Sequence, residues 1–273
     1  MDLDQHENGK ALVMTGKSLG FIGGGRIVRI LLGGCKRAGR LPERIVVSDT
    51  DSTVLAELKA QFGSALTVTA ESRQPAAQDL VLLALHPPAL PAALDAIKGA
   101  LRPGAVVISL APKWSMARLS LALGSFGRLA RSIPNAPSIV NAGYNPICFG
   151  AGLDQDGRDE ITRLFEIWGA CPVVPEETLE AHTIVSAMGP TYLWYQLYQL
   201  IDLAEQCGLT PAAAQAAVLA MAQGAARTMS DAGMPPHEVM DLVPVKPLAA
   251  LEPTVKEAYA TVLQSLYRKL KEP

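Results

Sequence analysis

Short apolar runs alternate with amphipathic segments through the first half of the chain. The runs that predict strands covered on both faces lie at 18–23, 44–48, 66–69, 80–85 and 105–110. The segments with apolar residues at helical spacing lie at 26–38, 52–62, 90–100 and 115–123. Strands alternating with helices predict an α/β fold: a doubly wound parallel sheet with helices on both faces.

The pattern changes near residue 175. Before it, strands are predicted at 129–133, 144–149 and 171–174, and a helix at 158–168. After it no convincing strand remains, and helices are predicted at 191–206, 211–230 and 254–271. Thr210 before Pro211 is typical of a helix start. We therefore predict three parts: a loose tail at 1–17, an α/β domain at 18–175 and an all-helical domain at 176–273.

Composition narrows the class of protein. With 49% hydrophobic and 18% charged residues, the 273-residue chain has enough apolar material for a core, and a net charge of -2 offers no basic field for nucleic acid or anionic lipid. The longest apolar stretch, Leu80–Leu94, contains three prolines and is too short to span a membrane. Met1–Lys17 contains no secretory signal. We expect a cytoplasmic protein with neither nucleic-acid nor membrane partners.

The four cysteines are widely spaced and form no CxxC pair. This spacing argues against a disulfide framework and against a zinc site, and it favours a reducing compartment. The sequence also contains no HExxH motif, EF-hand loop or carboxylate cluster with metal-ligand spacing. We therefore predict no metal.

Three glycines, Gly23, Gly24 and Gly25, stand where the first predicted strand meets the first predicted helix. Gly23 permits a tight turn, Gly25 lets the backbone approach a pyrophosphate, and the helix N-terminus offers free N–H groups. Val28 occupies the usual place of the third glycine. A glycine motif alone is weak evidence, but its place in a βαβ series predicts a Rossmann-type domain that binds NADPH or NADH. The alternative is a plain tight turn in a fold that has lost its cofactor.

The choice between the two cofactors stays open. Asp49 follows the second predicted strand, where an acid typically accepts a hydrogen bond from the adenine ribose and repels a 2′-phosphate. Arg26 begins the first helix, from which it could reach a 2′-phosphate. Asp49 also suits a purely structural role at the start of the next helix.

Three further positions are candidates for chemistry. His86 follows the fourth strand and Lys113 follows the fifth, at the sheet edge where ligands bind in this class of fold. The ammonium group of Lys113 could bind a substrate carboxylate or donate a proton. The alternative is that Lys113 is a solvated surface residue without a catalytic role. Gly189 and Pro190 predict that Thr191 opens a helix whose free N–H groups suit a substrate carboxylate.

Several segments, in this order along the chain, together resemble pyrroline-5-carboxylate reductase. They are Phe21–Gly25, Val47–Asp49, Leu83–Pro87, Ile133–Pro137 and Gly189–Tyr192. The resemblance extends over nearly the whole chain from Ser18. Its specific parts are the Ile-Pro-Asn-Ala-Pro and Gly-Pro-Thr-Tyr segments.

The resemblance implies a Rossmann domain followed by a helical domain that forms a homodimer through interleaved helices. It also implies reduction of a cyclic imine carrying a carboxylate, which yields proline. The implied cofactor-binding positions are Gly23, Gly24, Gly25, Arg26, Ile27, Asp49, Leu85, His86, Pro87, Ala111 and Asn135. The implied substrate-binding positions are Met188, Gly189, Pro190, Thr191 and Lys246, and the catalytic candidates are Thr191 and Lys113.

The sequence departs from the family pattern mainly on the substrate side. Asp241–Leu251 replaces a Ser-Pro-Gly-Gly-Thr-Thr stretch, Ala111-Pro112-Lys113 replaces Ala-Ala-Gly, and His86 replaces a lysine. Two alternatives therefore stay open: a reductase of the same architecture acting on another imine or ketone, and a cofactor-binding regulatory protein without turnover. Lys113 also resembles the lysine of β-hydroxyacid dehydrogenases, although Gly189–Tyr192 argues against that family.

Overall fold

The computed structural model describes residues 16–272, so the predicted tail at 1–17 lies almost entirely outside the described residues. The strands are β1 (Leu19–Ile22), β2 (Ile45–Ser48), β3 (Leu66–Thr69), β4 (Leu80–Leu83), β5 (Val106–Ser109), β6 (Leu129–Ser132), β7 (Gly143–Tyr144), β8 (Ile147–Phe149) and β9 (Gly169–Ala170). Seven of them form one sheet in the order β3-β2-β1-β4-β5-β6-β8, in which β8 alone is antiparallel to its neighbour. This is the strand order of a Rossmann fold with one added edge strand, which confirms the predicted fold class.

Helices cover the sheet and form the C-terminal part of the chain. They are α1 (Arg26–Arg37), α2 (Ser52–Phe62), α3 (Arg73–Ala76), α4 (Leu90–Ile97), α5 (Met116–Ala122), α6 (Gln155–Glu166), α7 (Leu179–His182), α8 (Pro190–Gln206), α9 (Pro211–Asp231), α10 (Pro236–Asp241), α11 (Glu252–Ala258) and α12 (Gln264–Lys271). Thr210 caps α9 as predicted, because its hydroxyl accepts a hydrogen bond from the N–H of Ala213 at 3.3 Å.

Some predicted elements have different bounds. The strand predicted at 144–149 is two short strands, β7 and β8, which belong to different sheets. No strand forms at 171–174, where the sequence predicts one: the strand in this part of the chain is β9, just before that segment, and Val173 makes an isolated bridge to Ile147. The helix predicted at 254–271 contains a π-helical turn, Tyr259–Leu263. Helices α3, α7 and α10 have no counterpart among the predicted helices.

Both faces of the large sheet are buried. Successive residues of β1 show this, because Phe21 belongs to one hydrophobic cluster and Ile22 to the other. Trp168 lies in the Phe21 cluster, and its indole N–H donates to the carbonyl of Leu31 at 2.7 Å. The continuous apolar runs of the sequence therefore reflect strands that are covered on both sides.

The chain divides into two compact units. The first contains residues up to Ala187 together with the last residues from Lys269, and the second contains Met188–Arg268. The division lies beyond the predicted boundary at 175, because Leu179 packs with Ile133 in the first unit. As a domain boundary, residue 175 stays a prediction. Within 16–272, none of the helices is long and apolar enough to cross a membrane.

Asp79 connects the start of β1 to the start of β4. Its Oδ2 accepts hydrogen bonds from the N–H and the hydroxyl of Ser18 at 2.8 and 2.6 Å, and its Oδ1 accepts one from Arg102 at 3.1 Å. The Ser18 hydroxyl bond is the largest influence that lowers the pKa of this carboxyl, and Arg102 adds to it. The carboxylate therefore stabilises the folded state above the ordinary aspartate pKa.

Replacing Asp79 by alanine tests this contribution. We expect a loss of about 1 kcal/mol in the free energy of unfolding at neutral pH, since the group is partly solvated. The difference from the unmodified protein should shrink as the pH falls through the lowered pKa of Asp79, because the folded carboxyl is then protonated. Urea titrations at several acidic pH values measure this difference in the free energy of unfolding, and Asp159→Ala is the control at an exposed carboxylate. A difference that is constant with pH would contradict this account.

Candidate active site

Gly23 makes the tight turn at the end of β1. Its φ is +96°, and its N–H donates to the carbonyl of Ser48 at 2.8 Å. A Cβ at this position would lie 2.5 Å from the carbonyl oxygen of Ala84 and 2.9 Å from the Leu85 side chain. Both the backbone conformation and the space therefore require glycine here.

Gly25 is the N-cap of α1 and has open space in front of it. Its φ is -67°, which any residue adopts, and a Cβ would meet nothing within 4 Å. No side chain caps the helix, and its first turn contains no acidic residue. The N–H of Val28 donates to the carbonyl of Gly25 at 3.1 Å, whereas those of Arg26 and Ile27, the first two residues of the helix, have no intrahelical acceptor and lie at the positive end of the helix dipole. This uncapped helix start and the space before it fit the pyrophosphate of a dinucleotide.

The first turn of α1 holds the two other predicted cofactor positions of this helix. Arg26 is exposed at the start of α1. Ile27 is partly buried and packs on the hydrophobic cluster that contains Val28, which is fully buried. Valine in the place of the third glycine is thus accommodated in the core.

Asp49 is held against the glycine loop by both of its carboxylate oxygens. Its Oδ2 accepts a hydrogen bond from the N–H of Gly24 at 2.7 Å, and its Oδ1 accepts one from the N–H of Asp51 at 2.9 Å. Asp51 in turn caps α2 by accepting from the N–H of Thr53 at 2.8 Å. The loop after β2 therefore places the Asp49 carboxylate against the glycine loop, while the Asp51 carboxylate caps α2.

The loops after β4 and β5 lie along the same edge of the sheet, because Leu83 pairs with both Ile22 and Ser109 in register. The first of these loops carries Leu85, His86 and Pro87, of which His86 is exposed. The second carries Ala111, which is 1% exposed and packs in the core. The register thus brings these predicted cofactor-side positions to the edge where ligands bind in this fold.

Asn135 connects three parts of the first unit through its side chain and backbone. Its Oδ1 accepts a hydrogen bond from the N–H of Tyr144 at 3.0 Å, and its Nδ2 donates to the carbonyl of Ser186 at 3.1 Å. Its own N–H donates to the Oδ1 of Asn145 at 3.3 Å. The Ile-Pro-Asn-Ala-Pro segment therefore orders its surroundings, and cofactor contact by Asn135 stays a prediction.

A buried ion cluster lies beside Lys113, and the sequence analysis missed it. Arg131 is 2% exposed, and its two terminal nitrogens each donate at 2.8 Å, one to Glu176 and one to Glu180. The N–H of Lys113, a residue at φ +71°, donates to Glu180 at 3.3 Å. An arginine within the apolar run of β6, followed by two glutamates four residues apart, is the sequence signal that could have revealed this cluster.

A cavity of about 420 Å³ adjoins this ion cluster in the first unit. Lys113 and Arg118 line it together with Arg131 and its two glutamates. Among the residues that the structure describes, none of the three glycines of the loop lines this cavity. Lys113 therefore lines a cavity of mixed charge, and a catalytic role for it stays a prediction.

The predicted substrate-binding segment begins the second unit. Helix α8 starts at Pro190, but the N–H groups of Thr191 and Tyr192 already donate to the carbonyls of Met188 and Gly189, both at 2.9 Å. The expectation that Thr191 opens a helix with free N–H groups is therefore wrong for these two groups. The Thr191 hydroxyl also donates to Met188, at 2.6 Å. Lys246 is exposed, 3.9 Å from a carboxylate oxygen of Asp241.

The cysteines that the structure describes are all free thiols. Burial raises the pKa of Cys35, Cys148 and Cys171 to about 12, so these thiols stay protonated at neutral pH. Within residues 16–272, histidine, cysteine, aspartate and glutamate side chains form no group of three that could hold a metal ion.

Comparisons with known proteins agree with this geometry. A family model described as "NADP oxidoreductase coenzyme F420-dependent" matches residues 18–113, and one described as "Pyrroline-5-carboxylate reductase dimerisation" matches residues 176–247. The pyrroline-5-carboxylate reductase of Escherichia coli K12 is 29% identical over 230 residues, which cover 83% of this chain and 84% of that protein. The enzyme of that name from Pseudomonas aeruginosa is 26% identical over 255 residues, or 93% and 92% of the two chains. The two family models together with relatives that match over most of the chain support membership of the pyrroline-5-carboxylate reductase family.

Solved structures of this family share the fold. The pyrroline-5-carboxylate reductase of Coxiella burnetii is 27% identical, with a TM-score of 0.69 over 94% of this chain and 95% of that one. The pyrroline carboxylate reductase of Plasmodium falciparum, solved with NADP bound, has a TM-score of 0.81 at 21% identity, over 94% and 98% of the two chains. At that identity the second structure supports the fold alone.

Proposed function

We propose that this chain is an NAD(P)H-dependent reductase of a cyclic imino acid, and that its substrate is pyrroline-5-carboxylate, which it reduces to proline. The observation that carries the proposal is the uncapped start of α1 behind Gly25, in a chain that matches enzymes of that name over most of its length. The small-molecule substrate and the cofactor are both anionic. An open glycine loop at a helix N-terminus suits the cofactor.

The chain's own residues would hold the cofactor and orient it. Gly23 and Gly25 shape the turn, and the N–H groups of Arg26 and Ile27 would hold the pyrophosphate. The loops that contain His86 and Ala111, and the segment at Asn135, would hold the nicotinamide end. A bound reduced nicotinamide supplies a hydride to the imine carbon, and a proton at the imine nitrogen completes the reduction.

Because a protonated imine is already electrophilic, the protein mainly has to orient the substrate and bind its carboxylate. We assign carboxylate binding to Met188–Thr191 and Lys246. We assign the catalytic roles to Thr191, whose hydroxyl can hydrogen-bond the substrate, and Lys113, whose ammonium group can supply a proton. The hydroxyl of Thr191 would exchange its bond to Met188 for one to the substrate.

A panel of cyclic imines tests the substrate. Pyrroline-5-carboxylate, its six-membered analogue and the same rings without the carboxylate are each mixed with NADH or NADPH, and cofactor oxidation is followed optically. We expect turnover of pyrroline-5-carboxylate, loss of turnover without the carboxylate, and no turnover by Gly25→Asp. Cofactor binding without turnover of any imine would contradict the proposal and favour a regulatory protein.

One observation favours a second candidate, a same-fold reductase of another imine or ketone. The segment 243–251 has an exposed apolar character, with Val243, Val245 and Leu248 each more than 60% exposed. The family's glycines and threonines are absent from it. Turnover of a more apolar imine or a ketone, in preference to pyrroline-5-carboxylate, would establish this candidate.

We further propose a cytoplasmic homodimer. The second unit exposes many large apolar side chains, including Leu193, Trp194, Tyr195, Tyr198, Leu203, Met221, Met229, Leu251, Val255 and Val262. A surface of this kind indicates a protein interface, and the match to a dimerisation family supports a second copy as its occupant. Free thiols suit a reducing cytoplasm, and the net charge of -2 argues against nucleic-acid partners.

The variant Tyr195→Glu/Tyr198→Glu tests the interface. Both side chains are 68% exposed on α8, so the substitutions should leave the monomer folded while placing charges in an apolar interface. Sedimentation at micromolar concentration should show a dimer for the unmodified protein and a monomer for the variant. Leu121→Glu, at a residue 78% exposed on α5, is the control that should stay dimeric. A monomeric unmodified protein would contradict the proposal.

A further inference from the structure

The Asp49 carboxylate lies beside the glycine loop, where this fold receives the ribose of the adenosine, and Asp51 follows two residues later as the cap of α2. The loop after β2 reads Asp49-Thr50-Asp51, and the second glycine of the loop donates to Asp49 Oδ2 at 2.7 Å. The end of the second strand is the place at which Rossmann folds distinguish a ribose hydroxyl from a 2′-phosphate. The cofactors NADH and NADPH differ only in that phosphate, so a side chain at this position can distinguish them.

Hydrogen bonds to the backbone hold the Asp49 side chain at the end of β2. Its two oxygens accept hydrogen bonds from the N–H groups of Gly24 and Asp51, at 2.7 and 2.9 Å. Each carboxylate oxygen has a second lone pair, which can accept a hydrogen bond from a ribose hydroxyl. A phosphate, in contrast, would bring negative charge against a carboxylate that backbone bonds keep in position.

Two basic side chains of the neighbouring helices are engaged elsewhere. Arg29 of α1 pairs with Glu57, and Lys59 of α2 donates to the carbonyl of Leu66 at 2.5 Å. Arg26 stands at the first position of α1, beside the glycine loop, where the pyrophosphate shared by both cofactors is expected. Arg26 should therefore raise the affinity for the two cofactors alike.

We propose that Asp49, reinforced by Asp51, makes this chain select NADH over NADPH. The inference rests on the proposed function only in requiring a dinucleotide site on the glycine loop. It sets this chain apart from the relatives whose descriptions name NADP. Placing the 2′-phosphate beside a fixed carboxylate should weaken binding at least about tenfold.

Binding measurements on the full-length protein test the preference without substrate. The dissociation constants of NADH and NADPH are measured by nicotinamide fluorescence and by calorimetry. NADH should bind at least about tenfold more tightly, and the difference should narrow at high salt, which screens the repulsion. Equal binding, tighter binding of NADPH, or binding of neither cofactor would overturn the proposal.

Two variants assign the preference to the loop. Asp49→Asn removes the negative charge. It should lower the ratio of the NADPH dissociation constant to the NADH dissociation constant, mainly by improving NADPH binding. Asp51→Asn retains a good helix cap, so it should fold even if Asp49→Asn does not, and it should narrow the ratio by a smaller factor. The control Asp159→Asn, an equal loss of charge at an exposed site on α6, should leave the ratio unchanged. An unchanged ratio in folded Asp49→Asn protein would also overturn the proposal.

The two proposals fail in different ways. Selective binding of NADH without reduction of any imine would contradict the proposed function and leave the cofactor preference standing. Reduction of pyrroline-5-carboxylate with a preference for NADPH would contradict the role of Asp49 and leave the proposed function standing.

Discussion

Gly25→Asp is expected to lose about 100-fold or more in affinity for both NADH and NADPH while remaining folded. The substitution causes no backbone strain, since φ is -67°, and a Cβ there meets nothing within 4 Å. Its carboxylate would stand where the pyrophosphate approaches the start of α1. At a separation of about 4 Å near a protein surface, like charges repel by several kcal/mol, which sets the expected loss.

A neighbouring glycine provides the contrast. Gly23→Ala places a Cβ 2.5 Å from a carbonyl oxygen at φ +96°, so it should cost about 2–4 kcal/mol of stability. Thermal unfolding and cofactor titration together separate the two effects. Gly25→Asp should keep its melting temperature and lose the cofactor, whereas Gly23→Ala should melt earlier. Unchanged cofactor affinity in Gly25→Asp would contradict the assignment of the glycine loop to the cofactor-binding site.

Arg131→Met should destabilise the first unit by about 3–5 kcal/mol. The guanidinium is 2% exposed and is hydrogen-bonded to two glutamates, of which Glu180 has a side chain only 9% exposed. Removing the arginine leaves that carboxylate buried without its partner charge, and this penalty exceeds the value of an ordinary ion pair. Urea unfolding measures the loss, and cofactor affinity of the folded variant should be retained.

The matched control is Arg128→Met, at the residue directly before β6. Arg128 is 29% exposed and pairs with Asp154, which is 63% exposed, so its removal should cost about 1 kcal/mol or less. A double variant, Arg131→Met/Glu180→Gln, should recover part of the loss because no unpaired charge remains at that position. Equal, small losses for both single arginine variants would show that the buried cluster contributes no more than a surface pair.

The parts of the fold that sequence could predict depend on local chemistry. Helix α2 and strand β3 have the predicted bounds, because Asp51 caps the helix and Gly63, at φ +62°, follows its last residue. The turn at Gly23 was likewise visible, since a positive φ at a strand end requires glycine. Local capping and turn residues act within a few positions, and a sequence shows them directly.

The parts that sequence could not predict depend on contacts between distant segments. The link from Asn135 to Ser186 and the cluster of Arg131 with Glu176 and Glu180 join residues far apart along the chain. One exception is local: the N–H groups of Thr191 and Tyr192 donate to the carbonyls of Met188 and Gly189, because the backbone is already helical at Gly189, before α8 begins. Family resemblance located the segments of Asn135 and Thr191 but not the Arg131 cluster, and the partner of each polar atom follows only from the folded arrangement.

The most direct test of the central claim follows the hydride itself. The protein is given pyrroline-5-carboxylate with NADH that carries two deuterium atoms at C4 of the nicotinamide ring, and the products are identified by mass spectrometry. Proline carrying one deuterium on the ring carbon that belonged to the imine is the predicted result. Cofactor bound at the glycine loop with no deuterated proline formed would contradict the account.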